Sequence, residues 1–237
     1  MQNIVAKLIL AIGIVAGAWI LGDFYYKSKE IKNPTVKATG VAKKDFESDI
    51  VKWKVSFGEQ VPLNELERGL KSVQQQIERF SDFLVKNGIK SEDITIIPPT
   101  NYKNYNRDGQ PSSYNVSQEM FVISKNIKMI EELALKPSKL ESLNLNMNLN
   151  NLEFFYSKLD DLKLELLSLA AENAKKRAVE ITKGNSYEVG DMINARSGIF
   201  QITEPYSTDV SQYGVYNTQS SKKEIRVTVH ATFELKK

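Results

Sequence analysis

Polar and apolar positions fall into three kinds of stretch along this chain: unbroken apolar, alternating, and recurring every three to four residues. Residues 4–21 read IVAKLILAIGIVAGAWIL, apolar except for Lys7, which predicts a helix with no polar face. Beyond Gly22 the chain turns polar at once, and 23–34 reads as a linker closed by Pro34. Strands are expected at 35–43 and 50–58. In the second, Val51, Trp53, Val55 and Phe57 alternate with Lys52, Lys54 and Ser56, the period of a half-buried strand.

Pro62 opens a long helix on which Leu63, Leu66, Leu70, Val73, Ile77, Phe80 and Leu84 recur at helical spacing, until Asn87-Gly88 stop it. A coiled coil shares that spacing, but flanking strands favour a helix lying on a sheet. A hairpin follows, with arms 94–105 and 114–124 and an Asp108-Gly109 turn at its tip. A short helix at 127–135 is ended by Pro137. Residues 143–150 read LNLNMNLN, so one face is core and the other a row of amides. A second long helix spans 158–183, with Asp160 and Asp161 in its first turn and Lys175, Lys176 and Arg177 towards its end, as the helix dipole prefers. Its expected buried stripe is Leu162, Leu166, Leu169, Ala170, Ala174, Ala178 and Ile181. Strands at 191–203 and 225–235 finish the chain.

The predicted class is α+β: two alpha-beta sandwich units, ββαββ then αβαββ, with mostly antiparallel sheets and long helices packed on them, after an N-terminal apolar helix. One domain is expected over 35–237, divisible at 125/126, and its roughly 200 residues suffice for a real apolar core.

Two readings fit the first 22 residues. A signal peptide would use Ala16-Gly17-Ala18 for cleavage, although that site lies inside the apolar run. An uncleaved anchor needs about 17–25 apolar residues, which the count from Ile4 just reaches, with Trp19, Tyr25 and Tyr26 at the interface. The anchor is favoured, and the membrane is then a partner through 4–21. Lysines are denser after the segment than before it, which taken alone keeps the body in the cytoplasm.

Chemistry is sparse. The net charge of +3 is dispersed, so no nucleic-acid partner is expected. The chain has no cysteine and one histidine, His230, which excludes a disulfide, a cysteine nucleophile and an ordinary Cys/His zinc site. Neither a phosphate loop nor a GxSxG elbow occurs. No catalytic residue, cofactor or metal is therefore assigned, and the chain is not expected to be an enzyme, with a two-carboxylate hydrolase kept as a remote alternative.

The remaining oddities are polar loops bearing tyrosine: Tyr102, Tyr105 and Tyr114 around the hairpin tip, and Tyr206, Tyr213 and Tyr216 before the last strand. Tyrosines among Ser and Asn suit adaptable contact surfaces. With the amide row of Asn144, Asn146 and Asn148 (and Asn150), they form the candidate contact surface; the amides could also serve a polar subunit interface.

Three stretches resemble the SIMPL-domain family of bacteria, formerly a domain of unknown function. The strand VKATGVAKKD at 36–45 is similar to its opening, with Gly40 at the family glycine. The helix AAENAKKRAVEITKGN at 170–185, followed by Val189-Gly190, and the closing strand at 225–235 complete the likeness, with Thr182-Lys183 departing where small residues are usual. The resemblance implies an envelope location with the body outside the inner membrane, homo-oligomerisation and, for some members, a role in oxidative stress. The expected function is thus a non-catalytic envelope protein, anchored or exported, that works through self-association or protein contacts. The alternative is a soluble periplasmic module that binds a peptide or glycan through its tyrosine loops.

Overall fold

A computed structural model describes residues 2–30, 34–136 and 143–237, with the side chains of 11–27 in the first helix. The elements are α1 (Gln2–Glu30), β1 (Thr35–Glu47), β2 (Ile50–Pro62), a 3₁₀ turn (Leu63–Glu65), α2 (Leu66–Lys86), β3 (Ile94–Ile96), β4 (Thr100–Tyr105), β5 (Pro111–Ser124) and α3 (Ile127–Ala134). They continue with β6 (Met147–Phe155), α4 (Leu159–Thr182), β7 (Glu188–Ser197), β8 (Gln201–Thr203), β9 (Val215–Tyr216) and β10 (Lys222–Lys236). One five-stranded sheet has the order β1-β10-β8-β9 with β7 also on β10; the other has the order β3-β5-β2-β6 with β4 also on β5. The α+β class is as expected, and the only parallel pair with a described register is β8–β9.

Several boundaries differ from the sequence expectation: the strand expected at 191–203 is two, β7 and β8, and the hairpin arm expected at 94–105 is also two, β3 and β4. The segment read as a linker is helical as far as Glu30. No glycine or proline interrupts it between Gly22 and Pro34, and Lys27 Nζ meets Asp23 at 2.8 Å one turn earlier, an orientation that supports a helix. Strand β6 begins at Met147 rather than residue 143, because Asn144 takes a left-handed φ of 48°. Pro137, read as the end of the short helix, lies outside the described residues.

Compactness divides the chain into two units, one made of Met1–Ala42, Leu167–Gly198 and Val227–Lys237, the other of Lys43–Leu166 and Ile199–Arg226. Neither follows a division at 125/126. In the first unit, the inward positions of β1 are Val36, Ala38, Gly40 and Ala42, all buried and small. They match the buried Ala170, Ala174 and Ala178 of α4. The observed α4 stripe is a strict every-fourth-residue row through Leu162, Leu166, Ala170, Ala174, Ala178 and Thr182, whereas Leu169 and Ile181, expected in it, are exposed. Asn173 Oδ1 accepts from the Val41 N–H at 3.0 Å, and Arg177 Nη1 donates to the Thr39 carbonyl at 3.0 Å. These bonds satisfy main-chain groups of β1 from the helix side, a common means of covering a strand edge.

The second unit holds the larger core. Val51, Trp53, Val55 and Phe57 of β2 meet Ile77, Phe80 and Leu84 of α2, Met120 and Val122 of β5, and Phe154 of β6. Phe80 stands edge-on to both Trp53 and Phe57, with centroids 5.3 Å apart in each pair, a preferred aromatic geometry. Trp53 is almost fully buried, and its Nε1 donates to Asn150 Oδ1 at 2.7 Å. The Asn150 amide in turn donates to the Ala134 carbonyl at 3.2 Å. Asn150→Leu is therefore expected to cost about 1–3 kcal/mol by leaving the indole N–H unpaired, measured as a lower urea midpoint with unchanged slope.

Candidate functional site

The outer face of the second unit's sheet, turned away from α2, carries the most promising geometry. Along β2 the residues alternating with the core are Ser56, Gly58 and Gln60, and their partners on β5 are Glu119, Ser117 and Asn115. An open groove of about 620 Å³ lies over this floor, walled by Tyr102 on one side and by Asn146 and Asn148 on the other. Two kinds of sequence candidate, a hairpin tyrosine and the asparagine run, thus meet at one place.

A bulge brings the asparagines there. The β2–β6 register shifts between Ser56 and Phe57, so that Ser56 faces Leu149 while Phe57 faces Met147, the extra residue of a β-bulge. The uniform amide face expected for 143–150 is broken at this point. Asn150 pairs with Val55 and bonds to Trp53 on the core side, while Leu149 is turned outward and is 39% exposed. Asn144 occupies a left-handed turn position, which its short amide tolerates. Asn146 is fixed through its backbone: its N–H donates to the buried Gln76 Oε1 at 2.6 Å, and its carbonyl accepts from the Gly58 N–H at 3.1 Å. A Cβ at Gly58 would strike the Asn148 amide and come within 2.8 Å of the Val116 carbonyl. The bare glycine therefore lets the Asn148 side chain lie across the floor.

On the opposite wall the Asn115 amide donates to the Tyr102 hydroxyl at 2.8 Å and to Asn104 Oδ1 at 3.2 Å. Tyr102 is held at its hydroxyl while 59% exposed, so its ring stays available. Glu59 is the one charged group in the lining, and Arg68 sits 3.4 Å from it. Among the described residues, no side-chain bond engages the amides of Asn146 and Asn148.

The other candidates lie elsewhere. Tyr105 is exposed at the end of β4, opposite Pro111. Tyr114 faces the α2 side and packs on the cluster of Val61, Val73 and Val116. Tyr206 is fully exposed with a φ of 65°, and Tyr213 is 85% exposed. Tyr216 rests edge-on against Phe155 at 6.3 Å, and burial raises its hydroxyl above the ordinary tyrosine range. His230 is bonded to Thr39 Oγ1 at 2.9 Å in the first unit. Among the described residues, no group of three or more His, Cys, Asp or Glu could hold a metal ion.

Sequence reasoning missed Ser56, Gln60, Asn115 and Ser117, whose signal was the polar phase of the β2 and β5 alternation. It also missed Lys223, which is fully buried although charged. Its Nζ donates to the Asn217 and Ser220 carbonyls, both at 2.5 Å.

Residues 36–233 match the SIMPL family, described as a protein of unknown function (DUF541). The chain belongs to that family. The match spans both compact units, and with it the groove, Gly40 and the buried lysine of this SIMPL protein. No curated protein matches the sequence.

Among the described residues, no helix is long and apolar enough to cross a membrane. The proposed span at 4–21 extends beyond the described side chains of α1, which begin at residue 11. Within the described part, Ile12, Ile14, Val15, Trp19, Ile20, Leu21 and Phe24 are each 60–78% exposed.

Proposed function

We propose that this SIMPL protein is a non-catalytic envelope protein, tethered to the bacterial inner membrane by α1 with its folded units outside the cytoplasm, acting through contacts with further copies or other proteins. The carrying observation is the run of exposed apolar side chains on α1, from Ile12 to Phe24. A contiguous apolar surface of that kind is costly in water and marks a membrane or protein contact. In the sequence the apolar run starts earlier, at Ile4, which lengthens the segment to that of a spanning helix. The placement outside the cytoplasm rests on the family resemblance. Self-association is supported by the exposed Tyr206 and Tyr213, a residue type enriched at subunit contacts.

The test uses the full chain in bacterial cells, with a C-terminal reporter active only outside the cytoplasm. The wild type is expected in the membrane fraction with an active reporter. Ile12→Asp combined with Val15→Asp is expected to move most of the protein out of that fraction, since an acidic residue near a span's centre costs roughly 3 kcal/mol. An unchanged membrane fraction rejects the tether, and a silent wild-type reporter rejects the location.

A further inference from the structure

We propose that the groove on the outer face of the β2–β5–β6 sheet is a binding site for a neutral oligosaccharide. The inference goes beyond membrane tethering and does not depend on it. The groove's chemistry sets the ligand class. Asn146 and Asn148 offer carboxamides that no described side chain engages, each carrying a donor and an acceptor side by side. That pairing complements vicinal sugar hydroxyls, which also donate and accept. Ser56, Ser117 and Gln60 continue the same neutral character along the floor. Tyr102, anchored at its hydroxyl by Asn115 and exposed over its ring, supplies a flat surface for the C–H face of a pyranose.

Other ligand classes fit less well. An anionic ligand would need cations in the lining, but its only charged member is Glu59. A peptide adding as a strand needs unpaired main-chain groups. The floor offers few: β5 is paired on both sides, with β2 and β4, while β2 carries β5 along its length and β6 as far as Phe57, beyond which the Asn146 carbonyl takes the Gly58 N–H. An apolar side chain would need an apolar pocket, whereas hydroxyls and carboxamides dominate this lining. The preorganisation is visible in the backbone: the bulge at Ser56/Phe57 and the bare Gly58 place Asn148 over the floor, and Gln76 fixes the Asn146 main chain. A rigid polar floor beside one aromatic wall lowers the ordering cost of binding.

The test titrates the full chain, in a detergent without a sugar headgroup, with maltohexaose, cellohexaose and N-acetylated chitohexaose, using calorimetry and ligand-observed NMR. At least one hexasaccharide is expected to bind, with Tyr102→Ala and Asn148→Leu each weakening it roughly tenfold. Tyr105→Ala, outside the groove, is expected to leave binding unchanged. Asn148→Asp keeps the side-chain shape and removes the donor, so it reports on the groove should Asn148→Leu fail to fold. The proposal is overturned if none of the three sugars binds at millimolar concentration, or if binding survives both groove variants. It is equally overturned if an extended hexapeptide binds instead with the same sensitivity to Tyr102 and Asn148. A wild-type chain found outside the membrane fraction that still binds the sugar would sink the tether and keep the groove.

Discussion

Gly40→Ala is expected to destabilise this SIMPL protein by about 3 kcal/mol or more, and Gly40→Val to prevent folding of the first unit. A Cβ at Gly40 would overlap the Ala170 carbonyl oxygen and the Ala174 backbone nitrogen, and would sit 2.9 Å from the Ala174 Cα. These are main-chain atoms of α4, so no rotamer change relieves them; helix and strand must separate. Separation would also loosen the small, matched faces of Ala38, Ala42, Ala170 and Ala174, and strain the bonds from Asn173 to Val41 and from Arg177 to Thr39. Because the obstruction is backbone, Ala170→Gly is expected not to rescue the variant, whereas a clash with the Ala170 methyl would be rescued. Gly184→Ala provides the contrast. That glycine has a φ of 100° and open space around its Cβ position, so only the left-handed penalty of about 1–2 kcal/mol applies. Urea unfolding of the full chain in detergent, compared at equal slopes, separates the two costs. Equal losses at the two glycines would show that close packing of β1 on α4 is not what Gly40 provides.

The same features explain which parts of the fold were legible in the sequence. Strict periodicity survives folding where one element packs on another without interruption. The alternation at 50–58 and the helical spacing at 63–84 both describe real elements with the expected inward faces, apart from the exposed Leu63. The alanines expected in the buried stripe of α4, Ala170, Ala174 and Ala178, are buried there. The limits arose where a local rule was overridden. In 143–150 the alternation is perfect as written, yet a turn at Asn144 and a bulge near Asn148 turn the asparagines in different directions. A bulge adds one residue and so reverses the phase of a period-two pattern beyond it, and no residue type in LNLNMNLN announces it. The groove was missed for a related reason. Ser56, Gln60, Asn115 and Ser117 look like any solvated strand face, and they become a site only when Tyr102 and Asn148 rise on either side. The exposed Leu169 and Ile181 on α4 reflect the narrowness of the buried row, which admits only every fourth residue.

Lys223 combines both lessons and carries the largest expected pH effect. It lies in phase with Ile225, Val227, Val229, Ala231 and Phe233 on the inward face of β10, where the period calls for an apolar side chain. Its Nζ instead reaches the Asn217 and Ser220 carbonyls and ties the loop before β10 to the strand. The Asn217 amide in turn donates to Glu204 Oε2 at 2.5 Å. Burial lowers the Lys223 ammonium from 10.5 to about 8, with the nearby Glu204 charge acting in the opposite direction. The sign follows from proton counting. Below pH 8 folded and unfolded chains both hold the proton, and the penalty for burying the charge is fully present. Between about pH 8 and 10.5 the folded chain releases the proton while the unfolded chain keeps it, so this group's contribution to stability rises with pH. A gap of that size is worth on the order of 3 kcal/mol across the window. The neutral amine retains two N–H donors, one for each carbonyl, so the tie outlasts the charge. Lys223→Met removes the titration while filling similar space. The difference in unfolding free energy, wild type minus variant, is therefore expected to climb from pH 8 to pH 10.5, with the titrations common to both chains cancelling. Parallel curves for the two proteins would mean that the ammonium is as comfortable in the folded chain as in water, its carbonyls and Glu204 offsetting burial in full.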